Sequence, residues 1–103
     1  AIIDHNKIQS DTWVQEVGHL GDLEAKLRAF GWHVVRVDGH DVEALGRTFR
    51  SLDAIADKPK AIIADTVKGK GVSFMERQIK WHYWPMSDDE YRQALADVER
   101  AGS

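Results

Sequence analysis

The sequence predicts a parallel α/β fold, and three observations lead there. Short apolar runs alternate with amphipathic helical stretches over the whole 103 residues. The run Ala61-Ile62-Ile63-Ala64 is continuously apolar, as in a strand covered by helices on both faces. Finally, the stretch between the second and third apolar runs is long enough to carry a helical crossover, which parallel strands require.

In chain order, Ala1–Ile3 reads as the end of a buried strand. Asp4 to Gly21 is mixed polar sequence, read as a long functional loop with room for a partial turn. Asp22 is placed to cap a helix whose Leu23, Leu27 and Phe30 recur on one face, and Gly31 stands where a left-handed terminal residue belongs. Trp32 to Val37 is β-rich and closes at Asp38-Gly39. Asp41 begins a second helix with Val42, Leu45, Phe49 and Leu52 along one side, and Pro59 ends that region. The third strand is expected over Ala61–Val67. Ser87 and Glu90 form a capping box for the last helix, Met86 can staple to Tyr91, and Tyr91, Leu95 and Val98 supply its apolar stripe.

Composition narrows the function classes. With 43% hydrophobic and 30% charged residues the chain is ordinary for one globular domain, residues 1–103, with a core of its own. No apolar run approaches the roughly 20 residues of a membrane helix. Lys and Arg number 14 against 17 for Asp and Glu, so a net charge of -3 offers no broad field for nucleic acid or anionic lipid. The absence of cysteine removes disulfides and thiolate metal sites and agrees with a cytoplasmic setting. The chain opens on Ala1-Ile2-Ile3, in mid-strand and without a Met, which gives the expectation of further sequence upstream. A sheet edge left unpaired there predicts self-association.

Parallel sheets place their working loops at the carboxyl ends of the strands. The loops so placed are Asp4–Thr12, Asp38–Asp41 and Lys68–Trp84. The first, Asp4-His5-Asn6-Lys7-Ile8-Gln9-Ser10-Asp11, gathers oxygen ligands suited to a hard cation such as Mg²⁺; a polar turn satisfying its own backbone has the same composition. Lys68-Gly69-Lys70-Gly71 can bring backbone N–H groups and ammonium groups to a phosphate, or can be a solvated turn; it lacks the spacing of a Walker A loop. The five histidines show no helical pair at i, i+4 and have no Cys companions, so zinc is not expected. Of these, His82 has a site-like address, in Trp81-His82-Tyr83-Trp84-Pro85, where Trp81 is assigned to packing.

Five segments, in order and spacing, resemble the N-terminal domain of the transketolase family: Ile3 to Gln9, Phe30 to Asp41, Lys58 to Ala64, Thr66 to Glu76, and Trp81-His82. The resemblance implies a three-layer, Rossmann-like thiamine-diphosphate-binding domain, here incomplete because the family's upstream Gly-Asp-Gly is not in the sequence. It implies Mg²⁺ held by the Asn6 side chain and the Ile8 backbone carbonyl. Cofactor contacts are implied for Asn6, Ile8, Gln9, Lys68 and His82, with His82 as the assisting catalytic residue. It implies transfer of a two-carbon ketol unit between sugar phosphates of the pentose phosphate pathway. The partner is then the rest of a dimeric enzyme, whose other domain carries the activating glutamate. Split transketolases with separately encoded N-terminal subunits show the same pattern. The sequence departs from the family at Asp11-Thr12, where Asp-Gly is usual, and at Tyr83, where Gly commonly follows the loop His; both put the shape of the substrate pocket in question. The rival reading is a stand-alone α/β module that binds without catalysing.

Overall fold

Ala61, Ile62, Ile63 and Ala64 are buried together in the computed structural model, which describes residues 1–102. The elements in chain order are β1 (Ile2–His5), β2 (Ile8–Gln9), β3 (Thr12–Trp13), α1 (Val14–Val17), α2 (Leu23–Ala29), β4 (His33–Asp38), α3 (Val42–Leu52), β5 (Lys60–Asp65), a 3-10 turn (Ile79–His82) and α4 (Asp88–Ala101). They divide into two compact units. One comprises Ala1–Asn6 with His19–Thr66, and the other Lys7–Gly18 with the residues from Val67 onward.

The first unit holds a three-stranded sheet in the order β1-β5-β4. Both pairings are parallel, with Ile3 opposite Ile63 and Val35 opposite Ile62, as the apolar runs required. β5 has a strand neighbour on each side and its four apolar residues are buried in succession, on both faces of the sheet, so the alternation of a half-exposed strand disappears from its sequence. Val34, Ala61 and Ile63 form the core, against which Ile3, Leu23, Leu27 and Trp32 pack. Each helix starts where a local hydrogen bond starts it. The Asp22 carboxylate accepts from the Ala25 N–H at 2.9 Å and the Asp41 carboxylate from the Ala44 N–H at 2.8 Å. The α2 helix ends with Gly31 at φ +83, while the Trp32 and Gly31 N–H groups donate to the Leu27 and Arg28 carbonyls, closing the terminus as a Schellman turn.

Three expectations need correction in this unit. β1 runs on through Asp4 and His5, which the polar character of those residues disguised, since their backbones pair with Ala64 and Asp65. The strand expected over Ala61–Val67 lies at Lys60–Asp65. The expected apolar faces are only partly inside: Phe30 is 82% and Val42 80% exposed and Phe49 is also exposed, while α3 buries Leu52 as expected and Thr48 beside it.

In the second unit the supposed loop contains an antiparallel hairpin, Ile8 opposite Trp13 and Gln9 opposite Thr12, turned through Ser10 at φ +48. The one-turn α1 follows it. The capping box of α4 is present as read, with Ser87 and Glu90 exchanging side-chain and backbone hydrogen bonds. The stripe assigned to that helix is not its buried face. Tyr91, Leu95 and Val98 are all exposed, whereas Ala94 and Asp97 are buried, because Asp97 is drawn inward by hydrogen bonds from Ser73. Trp81 packs as expected, edge-on to Phe74 with centroids 5.1 Å apart and its indole N–H donating to the Phe74 carbonyl at 3.1 Å. Among the described residues no helix is long and apolar enough to cross a membrane.

Candidate functional site

At the carboxyl end of the parallel sheet β1 and β5 finish side by side, with β4 on the far side of β5. Asp4 and His5 end β1, and Asp65 and Thr66 end or follow β5, so in-register pairing brings them side by side. The Thr66 hydroxyl donates to one Asp4 oxygen, and the Asn6 amide nitrogen lies 3.5 Å from the other. Asn6, the first of the implied metal ligands, is thus half-buried at the strand end beside a carboxylate.

Next to it, three strands contribute one polar residue each. Arg36 of β4 donates from Nε and Nη2 to the two oxygens of Asp65, at 2.6 and 2.8 Å, a bidentate clasp. Hydrogen bonding to Asp65 is the main reason the Arg36 guanidinium is held above its ordinary pKa. His5 Nδ1 lies 2.8 Å from Asp65 Oδ1. The same nitrogen stands 3.3 Å from Arg36 Nη2, so it meets an acceptor and a donor at once. Sequence reasoning missed this group. The only signal was the register that sets His5 opposite Asp65, which cannot be read before the strands are paired.

Lys7, which follows Asn6, adopts φ +68, a left-handed conformation uncommon for a residue with a side chain. Its carbonyl accepts from the Val14 N–H at 3.0 Å. Ile8, the second implied ligand, is half-buried at the start of the hairpin in the second unit, and Gln9 is exposed beside it. Asn6 and Ile8 therefore flank a left-handed residue and offer two neutral oxygens, an amide and a backbone carbonyl. No cluster of three or more His, Cys, Asp or Glu suited to a metal occurs among the described residues. Such a donor set makes no closed cage, but it fits Mg²⁺, which keeps several waters or phosphate oxygens and takes few protein ligands.

Lys68 is half-buried at the head of the 67–78 loop, and it forms no ion pair among the described residues. Lys70 faces Glu76 at 4.0 Å. The expectation that this loop turns its backbone N–H groups to a phosphate is met poorly. Those of Lys70, Gly71, Val72 and Ser73 donate to Val67 O, Glu76 Oε1, Gly69 O and Asp97 Oδ2 respectively. The positive charge of Lys68 is what the loop has to offer. His82 ends the 3-10 turn, exposed, with its ring edge-on to Tyr83 at 4.4 Å. Ile8, Gln9, Lys68 and His82 thus lie on three separate segments of the second unit, the hairpin, the loop and the turn.

Residues 1–98 match the family model described as transketolase, thiamine diphosphate binding domain. The chain is 37% identical over 103 residues to the 6-deoxy-6-sulfo-D-fructose transketolase subunit SqwG of Clostridium sp. (strain MSTE9), covering all of this chain and 38% of that protein. It is 41% identical over 98 residues to one of the subunits of the apulose-4-phosphate transketolase of Phocaeicola vulgatus, covering 95% of this chain and 35% of that protein. The crystal structure of transketolase from Campylobacter jejuni superposes with a TM-score of 0.84 at 26% identity, over 95% of this chain and 15% of that one. The chain thus spans little more than a third of the length of the two subunits it matches.

Proposed function

The chain belongs to the transketolase family, and on that premise we propose that it supplies the metal-and-diphosphate half of a ketol-transfer site. In this reading the Asn6 side-chain oxygen and the Ile8 backbone carbonyl hold Mg²⁺. Gln9, Lys68 and His82 meet thiamine diphosphate, and His82 assists catalysis. The observation that carries it is the pair of neutral oxygens flanking left-handed Lys7 at the end of a parallel strand, in a chain matched by a thiamine-diphosphate-binding model.

The bound cofactor supplies the carbanion chemistry by which a two-carbon ketol unit passes from one sugar phosphate to another. This chain's residues bind and orient. The Asp4 carboxylate beside the Asn6 amide nitrogen favours turning the amide oxygen toward the cation. Lys68 adds positive charge for the diphosphate, and exposed His82 offers a ring nitrogen for a hydrogen bond to a diphosphate oxygen or a sugar hydroxyl. The activating acid belongs to a partner domain or subunit, so the working enzyme is an assembly, a dimer in its simplest form, acting in the cytoplasm within the pentose phosphate pathway. The chain by itself is catalytically silent and binds the cofactor weakly.

The test is a coupled assay of transfer from xylulose 5-phosphate to ribose 5-phosphate by the enzyme that carries this chain, with Mg²⁺ titrated. Asn6→Ala raises the Mg²⁺ concentration needed for half-maximal rate. His82→Ala lowers turnover by about one to two orders of magnitude, the effect of one charge-assisted hydrogen bond acting in the transition state. Unchanged Mg²⁺ dependence in the first variant and an unchanged rate in the second refute the assignments. Ketol transfer by the isolated chain refutes the division of labour.

A further inference from the structure

Asp97 lies far along the sequence from every residue assigned above, yet it is the most heavily bonded carboxylate of the second unit. It is 7% exposed. One oxygen accepts from both the backbone N–H and the hydroxyl of Ser73, at 2.8 and 2.5 Å. The other accepts from Gln93 Nε2 at 2.8 Å and from Arg100. Gln93 and Arg100 share α4 with Asp97, whereas Ser73 lies in the loop that begins at Lys68. Two donors of the helix therefore aim the carboxylate, and two donors of the loop are captured by it.

We propose that Asp97 is a positioning residue that locks the 67–78 loop in the form in which Lys68 is presented to the cofactor's diphosphate. The proposal rests on the reading of Lys68 given above. The loop's own bonds run between near neighbours, Lys70 to Val67, Val72 to Gly69, Met75 to Val72, and Arg77 back to Lys68. Such local turns fold the loop on itself, and the Phe74 carbonyl ties it to the neighbouring 3-10 turn by accepting from the Trp81 indole N–H. The Ser73 bonds reach 24 residues along the chain to a regular helix, whose start is fixed separately by the Ser87 and Glu90 capping box. A flexible cationic loop would spend binding energy on ordering itself around the anion; one already held by α4 meets it preorganised. Hydrogen bonds from Ser73 above all, with that of Gln93 and the charge of Arg100, hold the pKa of Asp97 at about 2, so at neutral pH it meets Ser73 as a carboxylate.

The experiment uses the full chain, with inorganic pyrophosphate and Mg²⁺ as the probe. Asp97→Asn keeps the side chain's size but turns an NH₂ toward groups that are themselves donors. Backbone amide exchange read by NMR is expected to rise about tenfold or more at Gly71 and Ser73, with the β5 and β4 amides unchanged. Saturable pyrophosphate shifts in the loop are expected to weaken about three- to tenfold, and Lys68→Ala to weaken them at least as much. Ser73→Ala removes one donor and leaves α4 intact, so it keeps the test valid if the first variant fails to fold; it should act in the same direction with smaller size. Asp97→Glu should recover part of the affinity, which a purely structural role would not produce in a folded protein. Pyrophosphate binding that both the Asp97→Asn and Ser73→Ala variants leave intact refutes the part given to Asp97 alone. A wild-type chain with no saturable pyrophosphate response refutes the diphosphate reading of the loop, and this proposal with it.

Discussion

Substituting Gly69 by Ala tests the loop at its tightest point. Gly69 has φ +75, where an L side chain is disfavoured by roughly 1–2 kcal/mol. A β-carbon there would also stand 2.6 Å from the Met75 carbonyl oxygen and 2.8 Å from its Cβ. That carbonyl cannot recoil freely, because it accepts from the Gln78 N–H at 3.0 Å. Overpacking of this kind costs about 1–3 kcal/mol, so Gly69→Ala should destabilise by about 2–5 kcal/mol. Gly71 is the internal control: its φ is +94, yet nothing lies within 4 Å of a β-carbon added there. Gly71→Ala should therefore lose only the conformational part, about 1–2 kcal/mol. Urea unfolding followed by tryptophan fluorescence, with Trp81 packed on Phe74 as the nearby reporter, should place the Gly69 variant's midpoint about 1 M below that of the Gly71 variant. Equal midpoints for the two variants would refute the close approach to Met75. Tryptic cleavage at Lys68, Lys70 and Arg77 should accelerate in parallel with the loss of stability.

Three further outcomes follow from the same structure. Ile63→Ala empties a fully buried position of the central strand and should lower stability by about 2–5 kcal/mol in denaturant titration, whereas Ile2→Ala, at an exposed site, should stay within about 0.5 kcal/mol; similar losses would show that β5 is not the core. A double-mutant cycle on Arg36 and Asp65 should give a coupling of about 0.2–1 kcal/mol that shrinks with salt, because the two side chains are 43% and 30% exposed; a larger, salt-independent value would contradict that exposure. Asp97, lowered to about 2 chiefly by the Ser73 hydroxyl bond, binds a proton more weakly folded than unfolded. Its contribution is therefore complete above the ordinary carboxylate value and lost as pH falls through about 2, so NMR at decreasing pH should show the Ser73 amide released in that window, and release already at pH 5 would refute the sign.

What was legible in the sequence was what is local. Asp22, Asp41 and the Ser87–Glu90 box announce helix starts because a cap bonds to N–H groups a few residues ahead, and Gly31 marks an end for the same reason. Ala61 to Ala64 betrayed a central strand because burial on both faces erases alternation. What failed was what depends on partners. The stripe Tyr91, Leu95 and Val98 shows where α4 is apolar, but periodicity does not say what covers it, and the helix turns inward the side that Ser73 holds. The hairpin at Ile8–Trp13 is too short and polar to leave a pattern. At the site, oxygen-rich Asp4 to Asp11 and the Lys68 loop were visible as composition, while Asn6 and Ile8 were singled out only through family resemblance. The cross-strand group of His5, Arg36 and Asp65 depends on a register that no single segment contains.

The order β1-β5-β4 has a consequence for how the chain is made. The strand that joins the other two is the last of the three to leave the ribosome. Until it emerges, β1 and β4 lack the one partner that each has among the described residues, since neither pairs with the other. The contact of Ile3 with Ile63 must then close across most of the first unit, which places this sheet among slowly assembling, non-local topologies. During that interval Ile3, Val34 and Val35 wait for the strand they pair with or pack beside, so chains stalled before Lys60 are the ones expected to need a chaperone.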